Sequence, residues 1–99
     1  MASRIVRWNK VAVLQFTRAI DFIANDSVQN AETVRQEILA HISRLIETPE
    51  IYSPDKYKTN NDGNYRAFEA HRYRVAYHVS ETEIRILRIR HTSMEPKLY

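Results

Sequence analysis

Basic and proton-carrying side chains recur at short intervals in the second half of this sequence: Lys56 and Lys58, Arg66, the run Arg72, Arg74 and His78, then Arg88, Arg90 and His91, with Tyr99 beyond them. Guanidinium groups make paired, charge-assisted hydrogen bonds to phosphate and carboxylate, and lysines add a point charge. Histidine and tyrosine can move protons. Such a set is suited to holding an anion and, if its members converge, to phosphoryl chemistry. Other chemistries are excluded. The chain has no cysteine, so disulfides, thiolate zinc sites and a cysteine nucleophile are ruled out together. The four histidines show no spacing that puts two ligands on one helical face, so no metal is expected. One glycine cannot build a phosphate-cradling loop, no serine sits in an elbow motif, and no cofactor is expected. His41 falls within a helical pattern and reads as structural, Trp8 and Tyr57 as packing residues.

The charge is unevenly placed. Residues 1–51 carry six Lys/Arg and six Asp/Glu, whereas residues 52–99 carry nine and six, so the whole excess of +3 lies there. With a pI near 9.4 this is a mild excess, a weak argument by itself for a polyanionic partner. The front half reads as scaffold and the back half as the part that carries chemistry. Ninety-nine residues that are 43% hydrophobic and 27% charged fit one globular domain spanning 1–99. No apolar run is long enough to cross a membrane, and no secretory segment is visible. A cysteine-free chain suits the cytoplasm.

Arg4–Trp8 alternates as a short strand. From Lys10 to about Asn25, Val13, Phe16, Ile20 and Ile23 recur at helical spacing, and Leu14, Ala19 and Phe22 widen that stripe, which predicts a helix covered on more than one side. Asn25-Asp26-Ser27 breaks it. A second helix runs to about Glu47, with Val34, Ile38, Ile42, Leu45 and Ile46 on one face and Thr48-Pro49 as its stop. Residues 51–63 are mostly loop. Asn64–Glu69, Arg72–Val79 and Glu83–Arg90 are rich in Tyr, Val, Ile and Arg with short links, so they read as an antiparallel meander. The fold class is therefore α+β in the order β-α-α-β-β-β, a helical hairpin on one face of a curved, mainly antiparallel sheet.

Strand periodicity puts Tyr73, Val75, Tyr77 and Val79 on one side of the second meander strand and Arg72, Arg74, Ala76 and His78 on the other. In the third strand it groups Ile84, Ile86, Arg88 and Arg90 against Arg85, Leu87, Ile89 and His91. With the Tyr/Val side packed on the helices, Arg74 and His78 face away, and an open sheet face bearing arginines is an anion-binding surface. The alternative is a solvated face neutralised by cross-strand pairs with Glu69, Glu81 and Glu83, where removing Arg74 costs about 1 kcal/mol or less. Lys56 and Lys58, in a polar loop, are of a kind more often solubilising than functional.

Tyr65-Arg66-Ala67-Phe68, Tyr73-Arg74-Val75-Ala76-Tyr77 and Ile86-Leu87-Arg88-Ile89-Arg90-His91, in that order behind a strand and a helical hairpin, resemble the RelE/ParE superfamily of toxins from type II toxin–antitoxin modules. The resemblance covers essentially the whole chain. It implies a cytoplasmic, growth-inhibiting protein neutralised by a small antitoxin that wraps its surface.

Two mechanisms occur in that superfamily. RelE-like members cut messenger RNA on the ribosome without a metal, using a base for the ribose 2′-hydroxyl, a cation for the phosphate and an acid for the leaving oxygen. By position the resemblance assigns Arg74 to the phosphate, Arg66 to a basic residue on the preceding strand, and His91 and Tyr99 to proton transfer. The set departs from the family's, because Arg66 and Phe68 stand where RelE carries lysines and arginine is a poor base. ParE-like members instead bind DNA gyrase and trap it on cleaved DNA, without being enzymes. The stretch Arg90-His91-Thr92-Ser93-Met94 is similar to the His-x-Ser-Met ending of some ParE proteins and favours that reading, with RNA cleavage second and an inactive or differently targeted toxin fold third. Under any of them Lys56, Lys58, Arg72, His78, Arg88 and Arg90 are the expected target- or nucleic-acid-binding residues, with ribosome and messenger RNA or gyrase as the target. Oligomeric state is not readable.

Overall fold

A computed structural model describes residues 3–99. Its elements are β1 (Ile5–Trp8), α1 (Lys10–Asp26), α2 (Val28–Arg44), β2 (Tyr65–Ala70), β3 (Tyr73–Val79) and β4 (Glu83–His91), the expected order. Ser27 alone separates the helices, and its side chain accepts a hydrogen bond from the Asn30 amide (3.0 Å), capping α2. Helix α2 ends three residues before the position read from periodicity. Its last turn tightens, with Leu45 N–H bonded to the Ile42 carbonyl at 3.0 Å, while the amide and hydroxyl of Thr48 both donate to the Arg44 carbonyl.

The sheet has the order β1-β4-β3-β2, with β1 parallel to β4 and the other pairs antiparallel. The helices cover one face. Val34, Ile38, Ile42 and Leu45 interdigitate with Phe68, Val75, Tyr77, Val79, Ile84, Ile86 and Ile89, all buried. Burying side chains of this size stabilises by roughly 1.5–3 kcal/mol each, so this layer dominates the stability of the fold.

Two expectations need correction. Helix α1 is not covered on more than one side. Ala12 and Ala19 are buried and Phe16, Ile20 and Ile23 partly so, but Val11, Val13, Leu14 and Phe22 are 46–72% exposed. One side of α1 meets α2 and the sheet, and among the described residues no element reaches the other. Nor does strict alternation hold along β4. Tyr77 pairs with Ile86 but its neighbour Ala76 pairs with Arg88, so Leu87 is an extra residue in a β-bulge. The bulge resets the phase, burying Ile84, Ile86 and Ile89 while Arg88 and Arg90 turn to the same face as their partners Ala76 and Arg74. Ile84 and Ile86 therefore do not share a face with Arg88 and Arg90.

The β2–β3 link is the two-residue turn His71-Arg72, both at positive φ (52° and 68°). Hairpins favour this backbone because its twist matches that of the strands, although side chains other than Gly, Asn and Asp rarely occupy it. His71 also pairs with Glu37 on α2.

Candidate functional site

The sheet face turned away from the helices is built by Tyr65, Ala67 and Glu69 of β2, Arg74, Ala76 and His78 of β3, and Arg85, Arg88 and Arg90 of β4. At one end His78 stacks on Tyr65, with ring centroids 4.5 Å apart. Lys58 lies over Tyr65 (4.6 Å) and Tyr99 (5.5 Å). Arg74, Arg88 and Arg90 sit at the other end.

Arg74 is neutralised. Its Nη2 donates to Asp55 Oδ1 (2.8 Å), its Nη1 to Glu69 Oε2 (2.9 Å), and its guanidinium stacks on Tyr57 (4.9 Å). Asp55 is the one buried polar or charged residue among those described, and its side chain is inaccessible to solvent. Its Oδ1 also accepts from the Tyr57 amide (3.1 Å) and its Oδ2 from the Tyr99 hydroxyl (2.6 Å). Burial pushes the Asp55 carboxyl up, but the bonds from Tyr99, Arg74 and Tyr57 outweigh it and hold the group below its ordinary value. For Tyr99, burial and the bond to Asp55 act together and raise the phenol well above its usual range. Burial opposes the charge of Arg74, yet Asp55 and Glu69 leave the guanidinium above its ordinary value.

The loop that delivers Asp55 is tied to the sheet edge. Asp55 N–H donates to the Tyr65 carbonyl at 2.7 Å, and Asn61 Nδ2 donates to the Tyr65 carbonyl (2.8 Å) and the Asp55 carbonyl (3.3 Å). Pro54 forms a bridge with Arg66, so this loop covers the outer edge of β2.

Residues 92–99 cross the same face as a strap. Arg88 Nη2 donates to the Lys97 carbonyl (2.6 Å) and stacks on the Tyr99 ring (4.1 Å), while Arg90 Nη2 donates to the Glu95 carbonyl (3.0 Å). The Tyr99 amide donates to the Tyr57 carbonyl (3.1 Å), and the Thr59 amide donates to the Tyr99 carbonyl (2.7 Å). Burial pulls the Arg88 guanidinium down, with Tyr99 and Asp55 opposing. Under the strap the crevice between Arg74, Arg88 and Arg90 is only about 50 Å³, room for little more than a water molecule.

The four residues assigned to proton transfer and phosphate binding by resemblance are not brought together. Arg74 and Tyr99 meet through Asp55. Arg66 lies in register with Tyr77, on the helix side, where its Nη1 donates to the Tyr52 carbonyl (2.7 Å) and its buried Nε has no partner among the described residues. His91 closes β4 with its ring edge-on to Tyr73 and its Nδ1 accepting from the Ser93 amide (3.0 Å), so it shares the rim of the crevice with Arg74 but makes no hydrogen bond to it. Among the expected binding residues, Lys58, His78, Arg88 and Arg90 share the open face. Lys56 sits beside Tyr57 (5.2 Å), and Arg72 lies in the turn. Sequence reasoning missed Asp55 and Tyr57. Asp55 stood in a loop of polar residues with nothing to mark its burial, and the Asp-x-Tyr spacing that lets a carboxylate accept the amide two residues on is common in turns.

Among the described residues no helix is long and apolar enough to cross a membrane, and no group of three or more His, Asp or Glu could hold a metal ion.

A helical hairpin on one face of a four-stranded mixed sheet, with a guanidinium-rich opposite face, defines the RelE/ParE class of toxin fold. Within it, residues 6–96 match the family model of the ParE toxin of the type II toxin–antitoxin system parDE, and the chain belongs to that family. It is a ParE-like type II toxin. A chain in the solved structure of the chromosomal ParDE toxin–antitoxin system from P. aeruginosa has the same fold, with a TM-score of 0.71 at 17% identity over 91% of this chain and 97% of that one. No curated protein matches this sequence.

Proposed function

We propose that this toxin arrests growth in the cytoplasm by binding DNA gyrase and trapping it on cleaved DNA, and that it is not itself a nuclease. The observation that carries the reading is the state of Arg74. With Asp55 and Glu69 on its two terminal nitrogens it is an internal counter-ion, while Arg66 lies on the helix side of the sheet, His91 Nδ1 is taken up by Ser93 and the Tyr99 proton is held by Asp55. General acid–base cleavage needs donors and acceptors converging on one phosphate, whereas a binding toxin needs only a shaped, charged surface. Family membership and the His91-x-Ser93-Met94 stretch favour gyrase as the target. Expressed without its antitoxin, the protein should stop growth, induce the DNA-damage response and accumulate cleaved gyrase–DNA complexes while messenger RNA stays intact. Codon-positioned cuts on translating ribosomes, with protein synthesis stopping within minutes, would establish the nuclease reading instead.

The antitoxin partner is assigned to the uncovered side of α1. A groove of about 530 Å³ runs between α1 and the β4 end, lined by Gln15, Phe22, Tyr73, Ile89 and Met94 and edged by Arg18, Arg90 and His91. An apolar floor with a basic rim suits an amphipathic helix with acidic flanks. Phe22 is 72% exposed, so Phe22→Glu should change stability by less than about 0.5 kcal/mol. It should abolish rescue by co-expressed antitoxin while toxicity persists. Full rescue of the variant would place the antitoxin elsewhere.

A further inference from the structure

We infer that the strap 92–99 is displaceable, and that the groove it fills is built to take an extended, acidic peptide segment presented by another molecule. The polarity of the groove points to a polypeptide. The Tyr57 carbonyl and the Thr59 amide flank Lys58 and are both engaged by the backbone of Tyr99, the pattern of a parallel strand pair. A peptide reproduces that alternation of donor and acceptor, whereas a DNA backbone, with acceptors only, does not.

The charge of the groove points to an acidic segment. Arg74 is matched by Asp55 and Glu69, but none of the ion pairs among the described residues involves Arg88, Arg90 or Lys58. The two arginines donate instead to the neutral carbonyls of Lys97 and Glu95, and Lys58 to that of Thr59. Carboxylates in those places would turn neutral-acceptor bonds into pairs between full charges, which are shorter and stronger. The strap is also weakly held. Met94 and Leu98 are 50% and 63% exposed, so little apolar burial opposes release, and among the described residues the strap's side chains make two hydrogen bonds, Ser93 to His91 at its start and Tyr99 to Asp55 in the groove. Segments with few buried apolar contacts open at low cost.

The test uses purified protein and a fluorescently labelled peptide of alternating glutamate and threonine, with a glutamine/threonine peptide and an oligothymidylate of similar length as comparison probes. A closed strap lowers apparent affinity by the fraction of time the groove is open. Tyr99→Ala, which removes the anchor, should bind the acidic peptide about tenfold more tightly than the unaltered chain. Pro96 lines the crevice under the strap but makes none of the hydrogen bonds that hold it, so Pro96→Gly makes an ordered strap entropically dearer and should shift affinity in the same direction. With the unaltered chain, saturating acidic peptide should speed hydrogen exchange at the Tyr99 amide while the Thr59 amide stays protected. Equal affinities in all three proteins, or an oligothymidylate gain as large as the peptide's, would overturn the inference. If Tyr99→Ala does not fold, Pro96→Gly and the exchange measurement decide it. Neither gyrase nor growth enters the assay, so its failure and that of the proposed function are separately visible.

Discussion

Asp55→Ala should lower stability in urea by about 3–5 kcal/mol, the usual cost of removing one partner from a buried ion pair. The carboxylate is inaccessible and accepts from Arg74, Tyr99 and the Tyr57 amide, so its loss leaves three donors short of a partner at once. Arg74 keeps Glu69 and is 19% exposed, which allows partial solvation and favours the lower half of that range. Arg74→Ala should also cost well over the 1 kcal/mol expected for a guanidinium on an open face, because it strands a buried anion. The double variant should be less destabilised than the sum of the two, with a coupling of about 1–3 kcal/mol. The folded Asp55 carboxyl is held below its unfolded value, so its contribution is complete above the unfolded pKa of about 4 and disappears as pH falls through the folded one. A steep acid limb that Asp55→Asn flattens is the expected signature. A loss under 1 kcal/mol for Asp55→Ala would mean that water screens the pair.

Tyr77→Ala should be at least as damaging, at about 3–5 kcal/mol, enough to leave a small domain largely unfolded at physiological temperature. Its ring is fully buried at the centre of β3, in register with Arg66 on one side and Ile86 on the other. Its hydroxyl donates to the Pro49 carbonyl at 2.9 Å, linking the sheet to the turn that follows α2. Tyr77→Phe keeps the volume and loses that bond, for about 1 kcal/mol. Burial pushes the phenol up to about 12, with Arg66 pulling the other way. A folded pKa above the unfolded value of about 10 means this contribution is present below pH 10 and is lost as pH rises toward 12. The unaltered protein should therefore lose stability across that interval, with Tyr77 phenolate absorbance appearing only as structure is lost. Phenolate formation at Tyr77 ahead of unfolding would contradict the burial argument.

The element order and the two faces of β3 were legible because they are written in local periodicity: Tyr73, Val75, Tyr77 and Val79 alternate without interruption and all four are buried. The faces of β4 were not, because a bulge at Leu87 changes phase without any glycine or proline to announce it. The exposed stripe of α1 was misread for a related reason. Val11, Leu14 and Phe22 are as apolar as the buried residues, and a helix pattern does not say how many neighbours the helix will have. The cross-strand neutralisation weighed as the alternative is present in part: Glu69 of β2 pairs with Arg74 of β3 and Glu83 of β4 with Arg7 of β1, while the Glu83–Arg85 pair runs along β4 itself.

From the amino-acid sequence alone came the α+β order, the concentration of positive charge beyond residue 51 and the motifs that resemble the RelE/ParE toxins, because each depends on residues adjacent or regularly spaced in the chain. The tertiary structure alone decided that Arg66 faces the helices, that Asp55 neutralises Arg74, and that residues 92–99 lie across Arg88 and Arg90. Those outcomes depend on strand register and on the path of two irregular segments. The bonds that fix them join residues 19 and 44 positions apart, Arg74 and Tyr99 to Asp55. Local spacing carries no record of such meetings, which are set by which loop reaches a charged face and excludes water from it.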